Sequence, residues 1–428
     1  MIFKIFNKFN AHRGLMFRSL RNRNYRHYYF AWGVSSIGTW MQAVSMGWLV
    51  YRLTHSPLLL GTVVFVSQAP SIVLSPFAGV FSDRHDRRLI MFGAQLLLML
   101  QACVLTAIVL TGSANTSNLI GLALFLGIVN AVDFPIRQSF IKELVDDKDD
   151  LANAIALNAS VMNLSKFIGP FIAGILIAVV GEGWCFMLNA VSFIPILLVL
   201  SFLKVSPREL KVNENGSVWA ELKEGIGYAL RSSPIRMLLL MLGVISFLEG
   251  AVQSLMPVFV KEQYRTGSEV LGFIIGAAGV GALVAALYLA GRQNIRGLWR
   301  HIGVALPALG IFIVIFGHVH DARWAGVLAF LIGFTAMIHV ASTNSILQTI
   351  LQEDKRGRIM SLYGTTLVGG ASLGSITAGA VSSLMGLPLT YTCGGCLALL
   401  AAFFYWRNLA RVRAKVLPIY IEKGIVAG

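Results

Sequence analysis

The stretch Gly79-Val80-Phe81-Ser82-Asp83-Arg84-His85-Asp86-Arg87-Arg88 is a dense charge cluster where two apolar runs meet, Leu58–Phe81 and Leu89–Thr111. Each run is long enough to cross a bilayer, because a spanning helix needs about 20 predominantly apolar residues. The cluster is therefore a tight turn joining two membrane helices. Its three arginines hold it on the cytoplasmic side, where basic residues flanking spans are retained.

Composition extends that reading to the whole chain. Of 428 residues, 56% are hydrophobic and 13% charged, and the mean hydropathy is +0.72, which excludes a soluble domain. No cleavable signal peptide is expected, since residues 1–27 carry seven Lys/Arg and run directly into apolar sequence. The net charge of +15 does not mark a nucleic-acid partner, because its distribution follows topology. Assigning each span puts 29 of the 35 Lys/Arg in cytoplasmic segments and two inside spans, leaving only Arg52, Lys261, Arg265 and Arg323 outside. That asymmetry places both termini in the cytoplasm.

Twelve apolar runs divide six and six, over residues 28–203 and 235–406, between a basic N-terminus (1–27) and a C-terminal tail (407–428). The polar interruption 204–234 links the halves. Within it Trp219, Leu222, Ile226 and Leu230 recur at helical spacing, with Glu221, Lys223 and Glu224 on other faces. This predicts an amphipathic helix lying on the cytoplasmic surface. The halves are repeats. Leu60-Gly61 and Gly79 are echoed by Leu271-Gly272 and Gly291, and Gly169, Gly174 and Gly181 by Gly374, Gly379 and Gly386. Gln138-Ser139 finds Gln348-Thr349, and every offset lies between 205 and 212. Six helices separate the copies, so both have the same membrane orientation.

The order Gly79-x-x-x-Asp83-Arg84-x-x-Arg87-Arg88 resembles the loop between helices two and three of the major facilitator superfamily of transporters. The resemblance implies that Gly79 lets two helices approach, that Asp83 contacts a neighbouring helix end, and that Arg84, Arg87 and Arg88 clamp the cytoplasmic gate. Asp86 stands where the family usually has Gly, and Asp tolerates a left-handed turn. Parallel six-helix repeats with substrate bound at the midplane are the plan of these transporters. Asn24-Tyr25-Arg26, Gly38-Thr39-Trp40, Asp133-x-Pro135-x-Arg137-Gln138, Gly169-Pro170 and Arg356-Gly357-Arg358-x-Met360-Ser361-Leu362-Tyr363 narrow the likeness. They resemble the bacterial drug and siderophore exporters that include macrolide-efflux and enterobactin-export proteins. Gly169-Pro170-Phe171-Ile172-Ala173-Gly174 is similar to the Gly-Pro-x-x-Gly-Gly antiporter element, with Ala173 in place of one glycine.

Ionisable groups are scarce inside the spans, and such groups are costly in lipid, so they normally face a cavity and mark function. Asp133 and Arg137 lie one turn apart on span four, with Asn130 on the same stripe and Pro135 predicting a kink between them. The pair fits two roles, a proton carrier or a gate latch tied to Asp83 or Arg84. Glu249 sits near the centre of span seven with no basic residue near it on that helix, and is a candidate for proton coupling. A neutral Glu249 bonded to a carbonyl, or one paired with Lys166, fits as well. Lys166 on span five could attract an anionic substrate, balance Glu249 or snorkel. His339 joins Ser342, Thr343 and Asn344 in a polar patch on span ten; coupling and plain hydrogen bonding both fit a histidine there.

The resemblance implies cavity walls from spans one, four, seven and ten. On span one Ser35, Thr39, Gln42 and Ser45 form a polar stripe beside Trp40 and Trp48. With Gln68, Asn130, Lys166, Ser246, Gln253 and Asn344 they describe a weakly polar, aromatic-rich site that suits an amphipathic ligand better than a sugar. At the inner face, Arg356 and Arg358 replace the acidic run 146–150 of the first half, so opposite charges at repeat-related positions predict inner closure. Neither Cys393-x-x-Cys396, inside an apolar span, nor His318-Val319-His320-Asp321 supplies a metal site.

No phosphate loop, nucleophile elbow or carboxylate cluster is present, which excludes an enzyme and points to secondary transport without a cofactor. The expected molecule is an all-α membrane protein of twelve transmembrane helices in two parallel six-helix repeats. It is expected to act as a monomer in a bacterial inner membrane, exporting a drug-like compound or siderophore by alternating access in exchange for protons. A lysophospholipid flippase-like carrier and a non-transporting membrane sensor are the alternatives.

Overall fold

A computed structural model describes residues 17–145, 147–203, 218–292 and 295–425, with residues 76, 79–80, 82–84, 148–149, 218–222 and 353–354 described as backbone alone. Asp146 and the side chains of Asp83, Arg84, Trp219, Glu221 and Leu222 lie outside the described residues, and Gly79 enters only as helix backbone. Among the described residues there is no strand. Six helices form the first half: α1 (Arg23–Thr54), α2 (Pro57–Arg84), α3 (Arg87–Leu110), α4 (Thr116–Phe140), α5 (Lys148–Val180) and α6 (Glu182–Phe202). A short linker helix, α7 (Val218–Arg231), leads to α8 (Ser233–Glu262), α9 (Ser268–Ala290), α10 (Leu298–Phe316), α11 (Ala322–Ile350), α12 (Glu353–Met385) and α13 (Leu387–Glu422).

Among the described residues, eleven of the twelve long helices are apolar enough by composition to cross a membrane; α1 is not one of them. It is as long as the others, but Ser35, Ser36, Thr39, Gln42 and Ser45 dilute its middle. Those hydroxyls are absorbed locally: Thr39 and Ser45 donate to the carbonyls of Ser35 and Met41, one turn back, both at 2.9 Å. The chain after residue 406 does not leave the fold as a loose tail. Tyr405, Leu409, Val412, Val416 and Tyr420 keep helical spacing on one buried face, so α13 continues to Glu422 and packs its end on Trp299 of α10.

The repeat predicted from glycine spacing appears as packing. α1 packs on α5 and α6, and α8 packs in the same way on α12 and α13; α2 pairs with α4 as α9 pairs with α11. The halves meet where α2 crosses α12 and where α5 crosses α9, a pair of contacts that exchange under the same repeat. The echoed glycines sit at these crossings. A methyl carbon at Gly174 would lie 2.8 Å from the Gly272 Cα, and one at Gly379 would meet the Pro57 carbonyl. Gly61 lies against Ser375 and Gly379. Gly169 against α1 and Gly374 against α8 likewise hold matching pairs inside each half. Gly181 and Gly386 turn α5 into α6 and α12 into α13 at φ of 86° and 78°, a conformation essentially reserved to glycine.

Among the described residues two large apolar cores result, with a small third cluster at Ala285, Ala305 and Ile338. One fills the second half and continues into the ends of α1–α6 away from the linker helix, through Trp48, Tyr51, Leu60 and Phe186. The other belongs to the linker-side portion of the first half alone, around Tyr25, Tyr28, Met91, Ile136 and Phe193.

Candidate functional site

Contacts between the halves gather on the face opposite the linker helix. Gly47 of α1 meets Pro257 of α8, the Lys261 ammonium lies 5.1 Å over the Trp48 ring, and the Tyr51 hydroxyl hydrogen-bonds to the Glu262 carboxylate. Beside them Ser268 Oγ donates to the Gly174 carbonyl at 3.0 Å. Arg52 and Glu182 pair at 2.8 Å on the same face.

Towards the linker, the same surfaces part. Gln253 and Glu249 lie one and two turns from Pro257 on one stripe of α8, and both are exposed. Ala43, one turn from Gly47 on α1, is exposed as well. The stripe that closes at Pro257 therefore borders an open cleft at Glu249. Tyr363 of α12, within electrostatic reach of Glu249, donates to the Val340 carbonyl at 3.2 Å and hydrogen-bonds with Asn344 of α11. From the first half, Lys166 enters between its neighbours' contacts, Gly169 against α1 and Phe167 against α9. Its ammonium lies 5.1 Å over the Trp40 ring. Among the described residues neither Lys166 nor Glu249 has an ion-pair partner, so the mutual pairing considered from sequence is not made. Gln68, Thr39, Asn130 and Asn344 are half-buried, and Gln68 shares a stripe with Ile72, which meets Gly369 of α12.

Other residues expected at the cavity turn into the bundles. Gln42 is 3% exposed and joins Gln101 (3.0 Å) and Asn189 (2.8 Å), tying α1 to α3 and α6. Ser35 is buried, and Ser246 is spent on the carbonyls of Leu242 and Thr366. An alternating stripe cannot distinguish the two sides of a helix that is buried on both. His339 is wholly buried; Thr343 Oγ1 approaches its Nδ1 at 3.5 Å, and neither its Nε2 nor the Ser342 hydroxyl has a partner among the described residues. It does not border the cleft.

Asp133 is 1% exposed, accepts from Gln95 Nε2 at 2.8 Å and pairs with Arg137 at 3.4 Å. Arg137 also lies 5.3 Å over Trp32 and 5.7 Å over Phe134. The carboxylate is thus tied to α3, while the latch partners expected for it, Asp83 and Arg84, lie outside the described side chains. In the α2–α3 turn Asp86 caps α3, accepting from the Arg88 amide at 2.8 Å with φ of −65°, so no left-handed residue is required. Arg87 pairs with Glu143 at 2.9 Å, and Arg88 donates to the carbonyls of Leu200 and Ser201 at the end of α6.

The described inner charges have partners of their own. Asp147 and Asp150 bind Arg18, Arg356 donates to the Gln348 carbonyl at 3.2 Å, and Arg358 and Lys355 bind Glu224 of the linker helix at 2.6 and 2.8 Å. Of the outer loop, His318 contacts the Val314 carbonyl, and Asp321 caps α11. The residues closing the opposite face, Tyr51, Pro257, Lys261 and Glu262, and Tyr363 beside Glu249, were not legible in the sequence. Only the unusual Lys261-Glu262 pair at the end of an apolar run offered a signal.

Comparison with known proteins agrees with this architecture. The staphyloferrin A transporter of Staphylococcus aureus is 26% identical over 87% of this chain and 93% of its own length. The enterobactin exporter of Shigella boydii is 24% identical over 84% and 86%. A crystal structure of a bacterial homologue of the human lysosomal transporter Spinster, inward-facing and occupied, superposes with a TM-score of 0.72. It is 12% identical, covering 91% of this chain and 97% of that one, which speaks to fold alone. A family model described as transmembrane secretion effector matches residues 16–416. The chain belongs to that family, a multi-pass membrane protein with the major facilitator fold and a transporter rather than an enzyme.

Proposed function

We propose that the chain exports an amphipathic small molecule, a siderophore or drug-like compound, across a bacterial inner membrane by alternating access coupled to protons. The linker face, which gathers most of the Lys/Arg, is the cytoplasmic one, so both termini lie inside. The halves 28–203 and 235–406 rock as two bodies of a monomer, joined through 204–234. The observation that carries the proposal is the stripe Glu249–Gln253–Pro257–Lys261. It is closed against α1 at one end and exposed at the other, as expected of an inward-facing transporter with an acid near mid-depth. Trp40 and the Lys166 ammonium on one wall, with Glu249, Gln253 and Asn344 on the other, offer an aromatic surface and both charges to the cargo. The export direction is supported by the similarity to the enterobactin exporter named above.

The test uses inside-out vesicles with an acidic lumen and a panel of dyes, macrolides and siderophores. Proton-dependent accumulation that is lost in Glu249→Gln supports antiport through Glu249. Accumulation that the substitution leaves unchanged moves coupling to Asp133. No movement of any panel member under any gradient sinks the proposal.

A further inference from the structure

An apolar groove of about 490 Å³ lies outside the cleft, walled by α7, α8, α12 and α13. Leu230 of the linker helix covers its mouth, and Leu240, Gly243 and Phe247 of α8 and Leu397 of α13 line it. Leu230 and Leu240 are 57% and 60% exposed, so the groove opens sideways towards the membrane. Cationic and electropositive groups stand at the mouth. Arg236 lines the groove there, and its guanidinium donates to the Leu230 carbonyl at 3.0 Å with nitrogens to spare. Arg231 ends α7 two residues before α8 begins, and Ser232, the residue capping α8, makes no side-chain hydrogen bond, which leaves that helix N-terminus open to an anion.

The dimensions select the ligand. Arg236 and Phe247 are eleven residues apart on one helix, about 16 Å along its axis. Half of a hydrocarbon core is about 15 Å. The groove therefore runs from headgroup level to the bilayer centre, and its volume falls within the roughly 300–1,000 Å³ of small-molecule sites. We infer that an anionic phospholipid of the linker-face leaflet occupies it, one acyl chain along α8 and the phosphate at Arg236. Glu224 of α7 already grips Lys355 and Arg358 of α12. The lipid is the apolar counterpart of that clamp, seating the linker helix on the second half.

Gly243 makes the inference testable without damage to the core. A Cβ there meets only Thr366 Cγ2 at 3.5 Å, ordinary contact, so Gly243→Leu fills the groove while favouring the helix. Purified full-length protein would be titrated with dioleoyl phosphatidylglycerol or dioleoyl phosphatidylcholine in detergent micelles, reading Tm and lipid retention in native mass spectrometry. Phosphatidylglycerol is expected to raise the wild-type Tm by about 2–4 °C and to be retained, with phosphatidylcholine weaker. Gly243→Leu should abolish both effects, and Arg236→Gln should abolish the preference for the anionic lipid. A phosphatidylglycerol shift that survives both substitutions, or equal shifts by the two lipids in wild type, overturns the assignment.

Discussion

Gly174→Ala tests whether backbone contact between the halves sets the conformational balance. The added carbon would lie 2.7 Å from the Ser268 carbonyl oxygen and 2.8 Å from the Gly272 Cα. Both are backbone atoms of α9 and cannot rotate away as a side chain would. Carbon–carbon contacts settle near 3.5–4.0 Å, so α5 and α9 must separate by about 0.7 Å at this crossing. Overpacking of this kind costs about 1–3 kcal/mol. The cost falls only on the conformation closed at this face, so its population relative to the alternative drops about 5- to 150-fold. Spin labels on the exposed Val179 and Glu269, read by double electron–electron resonance in liposomes, report the separation of α5 from α9. The variant should lose the short-distance population, and Gly379→Ala, its repeat partner, should do the same for labels across α2 and α12. Gly121→Ala, with no atom within 4 Å of the new carbon, is the control. An undiminished short distance in Gly174→Ala would refute the reasoning, since the clash would then have been absorbed without moving the helices.

Two further outcomes follow from polar contacts. Gln42→Ala leaves Gln101 and Asn189 buried without their shared partner, so stability should fall by about 1–3 kcal/mol, measured as a lower Tm, with the pattern of transported compounds unchanged. A changed compound profile at wild-type Tm would return Gln42 to the cavity wall. The Lys355 ammonium hydrogen-bonded to Glu224, with Arg358 beside it, holds that carboxyl below its usual range. A depressed carboxyl contributes fully above its ordinary value, about 4.3, and loses the contribution as pH falls through the depressed one. The linker helix should stay seated on α12 from pH 8 to pH 5 and lift in stronger acid or high salt, tracked by labels at Lys223 and Gln352. A label distance that does not respond to acid or salt would assign the seating to apolar contact alone.

The sequence carried the fold further than the site, and glycine shows why. A glycine at a helix crossing is required by backbone approach, so its spacing survives in both halves; Gly61, Gly174, Gly272 and Gly379 could be read as a repeat and stand where the halves touch. Polar residues carry no such sign of direction. Ser35 and Gln42 on α1 and Ser246 on α8 differ from Thr39 and Gln253 only in which neighbour each helix presents to them, a property of assembly rather than of the local stretch. The acids divide in the same way. Asp133 and Arg137 could be paired from their spacing, but not Gln95, which arrives from another helix and fixes the carboxylate. Asp86 was placed in the turn correctly, and its helix-capping role follows from two amides that only the folded backbone brings to it.

The two faces are held by contacts of different kinds, and the difference bears on how such a molecule would cycle. One closes by backbone against backbone at the glycine crossings, with the Tyr51–Glu262 hydrogen bond and the Lys261 ammonium over Trp48 beside them. On the linker face, Asp147 and Asp150 are held by Arg18, and Lys355 and Arg358 by Glu224, each pair within its own half or between that half and the linker. Closing that face would exchange these partners for one another across the cleft. Exposed ion pairs are worth about 0–1 kcal/mol each, so swapping one set for another is nearly neutral. The charges therefore set register without committing the protein to either state. The decision is left to the crossings and to whatever occupies the cleft between Trp40, Lys166 and Glu249, and a cargo need favour one state by only a few kcal/mol to tip a balance of that kind.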